Sequence, residues 1–383
     1  MNQLLLGTAA IGTVASTGYC VLCLWAGFRY LSQRKGVSPG TNDLPPVSVL
    51  KPLKGTDPEM YLSLRSHCVQ DYPDYEILFG ISDPNDPALA IVEKLQREFP
   101  ARTIRLLRCE QKLGANGKVS SLVQMVPEAK HKFLLVNDSD IRVGPDYLRT
   151  VMTELQEPGT GLVTCLYRGV PARTIASKIE SLGISTDFMA GVLAAWTLEG
   201  GLQFGLGATL AFRGSELEAI GGFEAIVDYL ADDYELGHRI SERNRKVKLS
   251  QAVVETFLPA YNFAGFFSHQ LRWARTIRAA RPSGYAGLLL TFPLPWAILT
   301  LLLARGAAWA WILFTIAAVL RMSVALAVGK SVLHDKEVLR SLWLIPVRDF
   351  LALVVWFQGW FGQRILWRGD IFQLRRGKLQ RLE

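Results

Sequence analysis

The sequence predicts an α/β domain with a parallel sheet, joined to membrane helices at both ends of the chain. Strand and helix patterns alternate between residues 47 and 281, and apolar runs stand on either side. Of the 383 residues, 50% are hydrophobic and 20% are charged, which excludes a disordered chain. The net charge of +8 indicates anionic partners such as nucleotide phosphates or a membrane surface. We expect no nucleic-acid partner.

The N-terminal segment is predicted to be a transmembrane anchor over residues 1–31. Residues 4–28 carry no charge and are long enough to cross a bilayer. Arg29, Arg34 and Lys35 follow, so the positive-inside rule places the next part of the chain in the cytoplasm. A linker is predicted over 32–46, which is rich in Gly, Pro and Asn.

The central part of the chain, 47–281, has the pattern of the α/β domain. Four apolar or β-branched runs predict strands: VSVLKPL, YEILFGIS, TIRLLRC and KFLLVND. Helical patterns separate them: Glu59 to Cys68, LAIVEKLQREF and KVSSLVQMV. In open parallel sheets ligands bind at the carboxyl ends of the strands, so the candidate site is expected there.

The C-terminal part, 282–362, is predicted to form two or three membrane helices. Three stretches have spanning character: 286–304, 307–328 and 342–361. Three spans after a cytoplasmic domain would place the basic tail, 363–383, outside, which the positive-inside rule opposes. We therefore expect a re-entrant or interfacial segment, either the proline-bearing first stretch or the charge-bearing third. The protein is predicted to be an integral inner- or plasma-membrane protein with its α/β domain on the cytoplasmic side.

Asp138 and Asp140 follow the strand KFLLVN. Two carboxylates one residue apart at a strand end can hold Mg²⁺ or Mn²⁺ and, through it, a diphosphate. The alternative is a polar turn. The strand context favours a divalent-metal site.

Asp83 and Asp86 lie in SDPNDPA, directly after the strand YEILFGI. A carboxylate there could accept hydrogen bonds from a uracil N–H or a ribose hydroxyl. Equally, these residues could shape a proline-rich turn and cap the next helix. The residues alone leave both interpretations open.

Three acids, Asp232, Asp233 and Glu235, lie within four residues in ADDYE. Acidic side chains are favourable at a helix N-terminus, which is one explanation. The other is a general base, because nearby like charge and partial burial raise the pKa of a carboxyl group.

Four cationic or aromatic residues are further candidates for contacts to a phosphate-bearing ligand: Lys51 in KPLKG, Lys118 in GANGK, and Arg272 and Trp273 in HQLRW. The spacing of GANGK is too short for a P-loop, which argues against an NTPase. The arginines after Trp273 are expected to face lipid headgroups.

Seven short motifs occur in order between residues 51 and 273: KPLKG, SDPNDPA, NGK, DSDIRV, GGF, ADDY and HQLRW. Together they resemble the membrane-bound inverting glycosyltransferases of the ceramide glucosyltransferase family, which includes bacterial hopanoid-associated members. The family's last motif begins with Gln or Arg, and His269 stands at that position here.

The resemblance implies a GT-A fold, in which a Rossmann-like nucleotide half is fused to an acceptor half. By resemblance, Asp86, or Asp83, contacts uridine, and Asp138 and Asp140 supply the Mg²⁺ or Mn²⁺ site. Asp233 is implied as the catalytic base.

The function predicted by this resemblance is inverting transfer of one hexose from a UDP-sugar to a hydroxyl of a membrane lipid. Glucose is the first choice of sugar and N-acetylglucosamine the second, and the lipid is a ceramide-like sphingolipid or a hopanoid. The apolar segment 188–212 either borders this acceptor or is ordinary core. The alternatives are a polysaccharide synthase of the same fold and a catalytically silent membrane scaffold.

Overall fold

The fold is described from a computed structural model for residues 2–33, 44–367 and 369–381. These residues form two compact units. The helical unit comprises 2–33, 168–198 and 260–367, and the sheet unit comprises 44–167, 199–259 and 369–381. Most of the predicted linker, with Arg34 and Lys35, lies outside the described residues.

Helices alternate with strands through the middle of the chain. The α-helices are α1 (Asn2–Gln33), α2 (Met60–Cys68), α3 (Ala88–Glu98), α4 (Gly117–Met125), α5 (Tyr147–Leu155), α6 (Ile175–Gly183), α7 (Met189–Leu198), α8 (Gly214–Ala219), α9 (Asp232–Glu242), α10 (Phe263–Ala280), α11 (Pro282–Gly287), α12 (Pro293–Leu303), α13 (Ala308–Val324), α14 (Glu337–Ser341) and α15 (Ile345–Gly359). The strands are β1 (Val47–Leu53), β2 (Tyr75–Ile81), β3 (Thr103–Arg108), β4 (Phe133–Val136), β5 (Ile141–Arg142), β6 (Thr160–Val170), β7 (Leu210–Arg213), β8 (Lys246–Phe257), β9 (Arg364–Trp367), β10 (Asp370–Arg375) and β11 (Lys378–Arg381).

The sheet unit is built on a mixed sheet with the strand order β3-β2-β1-β4-β7-β6-β8-β5. Strand β1 runs parallel to β2 and β4, and β2 runs parallel to β3, whereas β7 is antiparallel to β4 and β6. Every residue of β2 is buried, as is typical of a parallel strand that is covered on both faces. The four predicted strands and three predicted helices of this half are confirmed, and with them the α/β class.

The helical unit contains the helices that are long and apolar enough to cross a membrane. Three candidates among the described residues meet this test: Gln3–Gln33, Ile175–Leu198 and Ala308–Val332. The first and third agree with the stretches predicted at the two ends of the chain. Helix α1 packs against α7, α12 and α13.

The stretch predicted over 286–304 is broken at Phe292. Helical segments on either side, Pro282–Thr291 and Pro293–Leu303, meet at a bend of 55° and form either one broken span or a re-entrant loop. Pro293 and Pro295 stand just after the break, where proline cannot continue a helical hydrogen-bond ladder. The stretch predicted over 342–361 contains α15, whose 15 residues are fewer than a bilayer crossing requires.

One candidate span was not expected from the sequence. Residues 175–198 fall inside the predicted catalytic domain, 47–281, yet they belong to the helical unit. The predicted boundaries stay a prediction. The apolar segment 188–212 is divided at Glu199: α7 lies in the helical unit, and the residues after it lie in the sheet unit. Gly200 and Gly201, both with positive φ, follow the end of α7.

The predicted basic tail, 363–383, is not an unstructured extension in its described part. Strands β10 and β11 pair as an antiparallel hairpin within the sheet unit. Its turn residues, Arg376 and Gly377, both have positive φ, as a two-residue type I′ turn requires.

Candidate functional site

The candidate site lies at the carboxyl end of β4, where the buried strand passes directly into Asn137 and Asp138. Asn137 is fully buried, and its Nδ2 donates to the carbonyl of Ala208 at 2.7 Å. The next side chain, that of Asp138, is 41% exposed. The strand end is therefore fixed from inside while the carboxylate of Asp138 faces outward.

Lys118 connects two of the predicted carboxylates. Its Nζ lies 2.8 Å from Oδ1 of Asp138 and 3.0 Å from Oδ2 of Asp232. Asn116 caps α4 by accepting the N–H groups of Lys118 and Val119, which fixes the start of the helix. Burial lowers the pKa of Lys118, but the carboxylates of Asp138 and Asp232 outweigh it and raise that pKa well above its ordinary value. Lys118 is therefore a firmly charged cation.

Asp233 lies in the first turn of α9, beside this cation. Its Oδ2 accepts the N–H of Gly207 at 2.7 Å, and its Oδ1 accepts the N–H of Tyr234 at 2.8 Å. Burial, followed by repulsion from the Asp232 carboxylate, raises the pKa of Asp233 to about 6. A raised pKa is what the sequence analysis expected of a general base in this acidic cluster.

Gly207 leaves open space between two carboxylates. A Cβ at this position would lie 3.0 Å from Oδ2 of Asp138 and 3.2 Å from Oδ2 of Asp233. The structure thus brings Asp138 and Asp233, 95 positions apart in the chain, to the same small cradle. A side chain larger than hydrogen would begin to fill it.

Asp140 has a different environment from Asp138. Thr256 donates a hydrogen bond to its Oδ2. Burial, followed by repulsion from the Asp138 carboxylate, raises the pKa of Asp140 to about 6. Ser139, between the two acids, donates to Asp57. The two acids therefore influence each other electrostatically but contact different parts of the sheet unit.

The two acids fit a divalent cation by chemistry and by charge. Carboxylate oxygens are the ligands that Mg²⁺ and Mn²⁺ prefer, and mutual repulsion between the two is relieved when a cation binds. In the described ranges, no group of three or more His, Cys, Asp or Glu side chains is arranged to hold a metal ion. Such a cation would therefore take its other ligands from phosphate oxygens and water, as Mg²⁺ commonly does.

Lys51 supports this site from inside the sheet unit. Its side chain is fully buried within β1, and its Nζ donates to the backbone carbonyl of Asp138 at 2.9 Å. Burial lowers the pKa of Lys51 to about 7, against the opposing effect of the nearby Asp140 and Asp138 carboxylates. The sequence predicted a contact between Lys51 and a phosphate-bearing ligand. The contact that the structure shows is to the protein backbone.

Asp83 and Asp86 both shape the turn after β2. The buried Asp86 accepts the N–H of Ala88 at 2.9 Å and that of Gly55 at 2.8 Å, which connects its loop to KPLKG. Asp83 is exposed, and its Oδ1 accepts the N–H of Asn85 at 2.9 Å. The turn-shaping role considered from the sequence is thus observed, and each carboxylate oxygen retains a lone pair for a ligand.

Arg272 and Trp273 lie on α10 in the helical unit, where Trp273 has two aromatic neighbours. The ring centroid of Trp273 is 5.6 Å from that of Phe188 and 5.4 Å from that of His269. Nδ1 of His269 lies 2.7 Å from Oε1 of Glu180, which is only 1% exposed.

Several residues that contact the predicted site residues, in the sheet unit or on α10, were not predicted from the sequence. Asn116 carried a usable signal, since Asn directly before a helical pattern predicts an N-cap. Asp57, Glu180 and Gly207 carried none, because each acts through a residue far away in the chain.

Comparison with known proteins gives a family match over almost the whole chain. The sequence model of glycosyl transferase family 21 matches residues 8–380. Ceramide glucosyltransferase 1 of Caenorhabditis elegans is 26% identical over 240 residues, which cover 62% of this chain and 51% of that protein. The ceramide glucosyltransferase of Komagataella phaffii is 32% identical over 146 residues, covering 36% of this chain and 29% of that protein. The chain spans about half the length, or less, of these curated relatives.

A solved structure shares the fold. A mannosyltransferase from Pyrobaculum calidifontis, in complex with GDP-Man and Mn²⁺, has 22% sequence identity and a TM-score of 0.56. The similarity covers 93% of this chain and 99% of that one. The predicted GT-A fold is confirmed.

Proposed function

Because the chain belongs to glycosyl transferase family 21, we propose that it transfers a single hexose from a UDP-sugar to a hydroxyl group of a membrane lipid, with inversion at the anomeric carbon. Family membership confirms the resemblance that the motifs predicted. The proposed donor is UDP-glucose, with UDP-N-acetylglucosamine as the alternative. The proposed acceptor is a ceramide-like sphingolipid or a hopanoid.

The observation that carries the chemical part of this proposal is the placement of Asp233. Hydrogen bonds from Gly207 and Tyr234 fix its carboxylate, and each oxygen keeps a lone pair for a proton. A carboxyl group with a pKa of about 6 is ionised at neutral pH and is a stronger base than an ordinary aspartate. Asp233 accordingly takes the proton from the acceptor hydroxyl as its oxygen attacks the anomeric carbon. One in-line displacement then inverts that carbon.

The remaining predicted residues bind and position the donor in this proposal. Asp83 and Asp86 contact the uridine, and Arg272 and Trp273 contact the nucleotide-sugar. Lys118 adds positive charge near the diphosphate and orients Asp138 and Asp232, with which it is paired.

Lys51 acts on the donor indirectly. Its Nζ is fully buried and holds the backbone carbonyl of Asp138, so it is proposed as a positioning residue.

Asp138 and Asp140 are proposed to hold a divalent cation. The solved mannosyltransferase that shares the fold was determined with Mn²⁺, which supports Mg²⁺ or Mn²⁺ as the ion. The bound ion would supply positive charge to the departing nucleoside diphosphate.

Replacing Asp138 by asparagine is expected to weaken Mn²⁺ binding at least about tenfold, because a ligand charge is lost. Chelation of the wild-type protein with EDTA is expected to stop transfer, and excess Mn²⁺ to restore it. Mn²⁺ binding in the presence of UDP is measured by electron paramagnetic resonance titration, independently of activity. Asp74, at the amino end of β2, provides the control: Asp74→Asn should leave Mn²⁺ binding unchanged. Wild-type Mn²⁺ affinity in Asp138→Asn would contradict this assignment.

The lipid acceptor is supported by the helical unit and by the relatives. Three described helices are long and apolar enough to span a membrane, and the curated relatives are named ceramide glucosyltransferases. A protein anchored in the membrane by these helices can reach an acceptor hydroxyl on a lipid of the same bilayer. Arg34 and Lys35 follow α1 in the sequence, and the positive-inside rule places such charges in the cytoplasm. We therefore propose that the sheet unit faces the cytoplasm.

The purified full-length protein in lipid nanodiscs, supplied with Mg²⁺ or Mn²⁺, tests the proposed function. UDP-glucose and UDP-N-acetylglucosamine are each offered with ceramide and with a hopanoid polyol, and the products are identified by mass spectrometry. A lipid carrying one β-linked sugar is the expected product, since an α-linked donor is inverted. A ladder of sugar additions would favour a polysaccharide synthase. No product and no UDP release from any donor would favour a silent scaffold.

A further inference from the structure

The C-terminal hairpin, β10 and β11, joins the segment that leads into the proposed base. The N–H of Leu379 donates to the carbonyl of Asp228 at 2.7 Å, and the N–H of Leu230 donates to the carbonyl of Gly377 at 3.1 Å. These bonds flank an antiparallel bridge between Tyr229 and Lys378. Residues 228–230 are therefore added to the hairpin as a short neighbouring strand.

The side chain of Tyr229 strengthens the same junction. The Nζ of Lys378 lies 5.2 Å from the centroid of its ring, within the range of a cation–π contact. The guanidinium of Arg239, on α9, lies 5.5 Å from the same ring. Tyr229 thus contacts both the hairpin and the helix that carries Asp233.

The same short segment holds the loop that leads into α4, the helix that carries Lys118. The N–H of Ala115 donates to Oδ1 of Asp228 at 2.9 Å, and Nδ2 of Asn116 donates to the carbonyl of Tyr229 at 2.7 Å. Asn116 in turn caps α4, and so fixes the first turn of the helix, which contains Lys118. Residues 228–230 therefore lie between the hairpin on one side and the loop before α4, Ala115 and Asn116, on the other.

The hairpin is a firm partner for this contact. Phe372, Leu374 and Leu379 are each at most 5% exposed, so it is anchored by buried apolar side chains. Oδ1 of Asp370 lies 2.6 Å from Nη2 of Arg381, and this ion pair closes the open end of the hairpin. Oδ2 of Asp370 lies 3.4 Å from Nζ of Lys54 in KPLKG.

We propose that the C-terminal hairpin is a positioning element for the glycosyl transfer: by strand addition to residues 228–230 it fixes the approach to Asp232 and Asp233 and, through Asn116, the position of Lys118. This inference rests on the proposed function, because it assigns the hairpin to the same reaction. The proposal requires no contact between the hairpin and a substrate. It acts by holding the base and its cation in place, and small displacements of catalytic groups have large effects on rate.

A substitution at Leu379 separates the backbone contact from the side chain. Leu379→Pro removes the N–H that bonds to Asp228, and that N–H is not used within the hairpin, because Leu374 and Leu379 form a non-hydrogen-bonded pair next to the two-residue turn. Leu379→Ala keeps the N–H and removes most of the side chain, so it is the matched control. We expect kcat per UDP-binding site to fall about tenfold or more in Leu379→Pro, with the KM for the UDP-sugar within about threefold of wild type. Leu379→Ala should keep kcat within about threefold.

The outcomes of this comparison are distinct. Equal kcat in the proline variant and in the wild type would overturn the inference, as would equal losses in the proline and alanine variants. A wild-type protein without any transfer activity would instead contradict the proposed function, before the variants are compared.

A covalent closure of the same junction gives a rescue test that does not depend on how well Leu379→Pro folds alone. Tyr229 and Lys378 form a non-hydrogen-bonded antiparallel pair, whose Cα atoms are about 4.5 Å apart, within reach of a disulfide. Tyr229→Cys and Lys378→Cys are combined with Leu379→Pro. Oxidation is expected to raise kcat at least about fivefold over the reduced form, while the KM for the UDP-sugar stays the same. A fully oxidised protein whose kcat equals that of the reduced form would overturn the inference.

Discussion

Asp233→Asn is expected to lower the rate of lipid glycosylation about a thousandfold, while binding of the UDP-sugar stays within a few-fold of wild type. A positioned general base contributes about 10²–10⁴ to a rate, and asparagine cannot accept the hydroxyl proton. The amide retains the shape of the side chain, and its oxygen can still accept the N–H of Gly207 or of Tyr234. Single-turnover transfer measures the rate, and titration with UDP-glucose measures binding.

Asp232→Asn is the matched control for this substitution. Asp232 is the neighbouring carboxylate in the same helical turn, and its Oδ2 pairs with Lys118 at 3.0 Å. Its loss should reduce the rate by about tenfold, because Lys118 keeps Asp138 but loses one of its two partners. Asp233→Asn retaining more than about a tenth of the activity would contradict the role of base, and equal losses in the two variants would point to charge alone.

The parallel half of the sheet could be predicted from the sequence because local patterns there agree with the tertiary structure. VSVLKPL and YEILFGI are rich in β-branched and apolar residues and are bounded by turn residues, and they form β1 and β2. The antiparallel half was harder to anticipate. Strand β7 is only the four residues LAFR, and its pairing with β4 joins positions more than 70 residues apart.

The membrane part was predicted less completely because hydropathy does not distinguish a buried helix from a spanning one. Residues 175–198 pass the test for a spanning helix, although Lys178, Glu180 and Asp187 interrupt them. These charges are paired within the helical unit: Glu180 with His269, and Asp187 with Arg348. Such pairing links residues about 90 or more positions apart, which no local pattern reveals.

In the candidate site, too, features with a local sequence pattern could be predicted, and contacts between distant segments could not. Asp138 could be proposed from the sequence because a strand end is a local feature. The acidic cluster that contains Asp233 could be found because a helix N-terminus is also local, but the choice of Asp233 within it came from the family resemblance. That Lys118 bridges Asp138 and Asp232 could not be predicted, since it depends on three segments meeting in space. Nor does the basic composition of the tail indicate a hairpin paired with residues 228–230.

The second large effect is expected in the helical unit, where Arg321 forms a buried ion pair with Asp349. The Nε of Arg321 lies 2.9 Å from Oδ2 of Asp349, and its Nη2 lies 2.7 Å from Oδ1, a bidentate arrangement. The side chains are 3% and 2% exposed, and Arg321 lies within the candidate span Ala308–Val332. Arg321→Met is expected to lower the free energy of unfolding by about 3–5 kcal/mol, because it leaves the Asp349 carboxylate buried without its partner. Denaturant titration in detergent micelles measures this change.

Arg321 and Asp349 are not equivalent, so substitutions of the two residues are expected to lower the free energy of unfolding by different amounts. Arg321 also lies 3.7 Å from Asp187, and its Nη1 donates to the carbonyl of Thr186 at 3.3 Å, so it keeps partners when Asp349 is neutralised. Asp349→Asn should therefore destabilise the protein less than Arg321→Met. The double variant Arg321→Met with Asp349→Leu should recover at least half of the loss, since no charge of the pair remains buried alone. Equal losses in the two single variants, or a double variant as unstable as Arg321→Met, would show that the pair stabilises by packing rather than by mutual charge compensation.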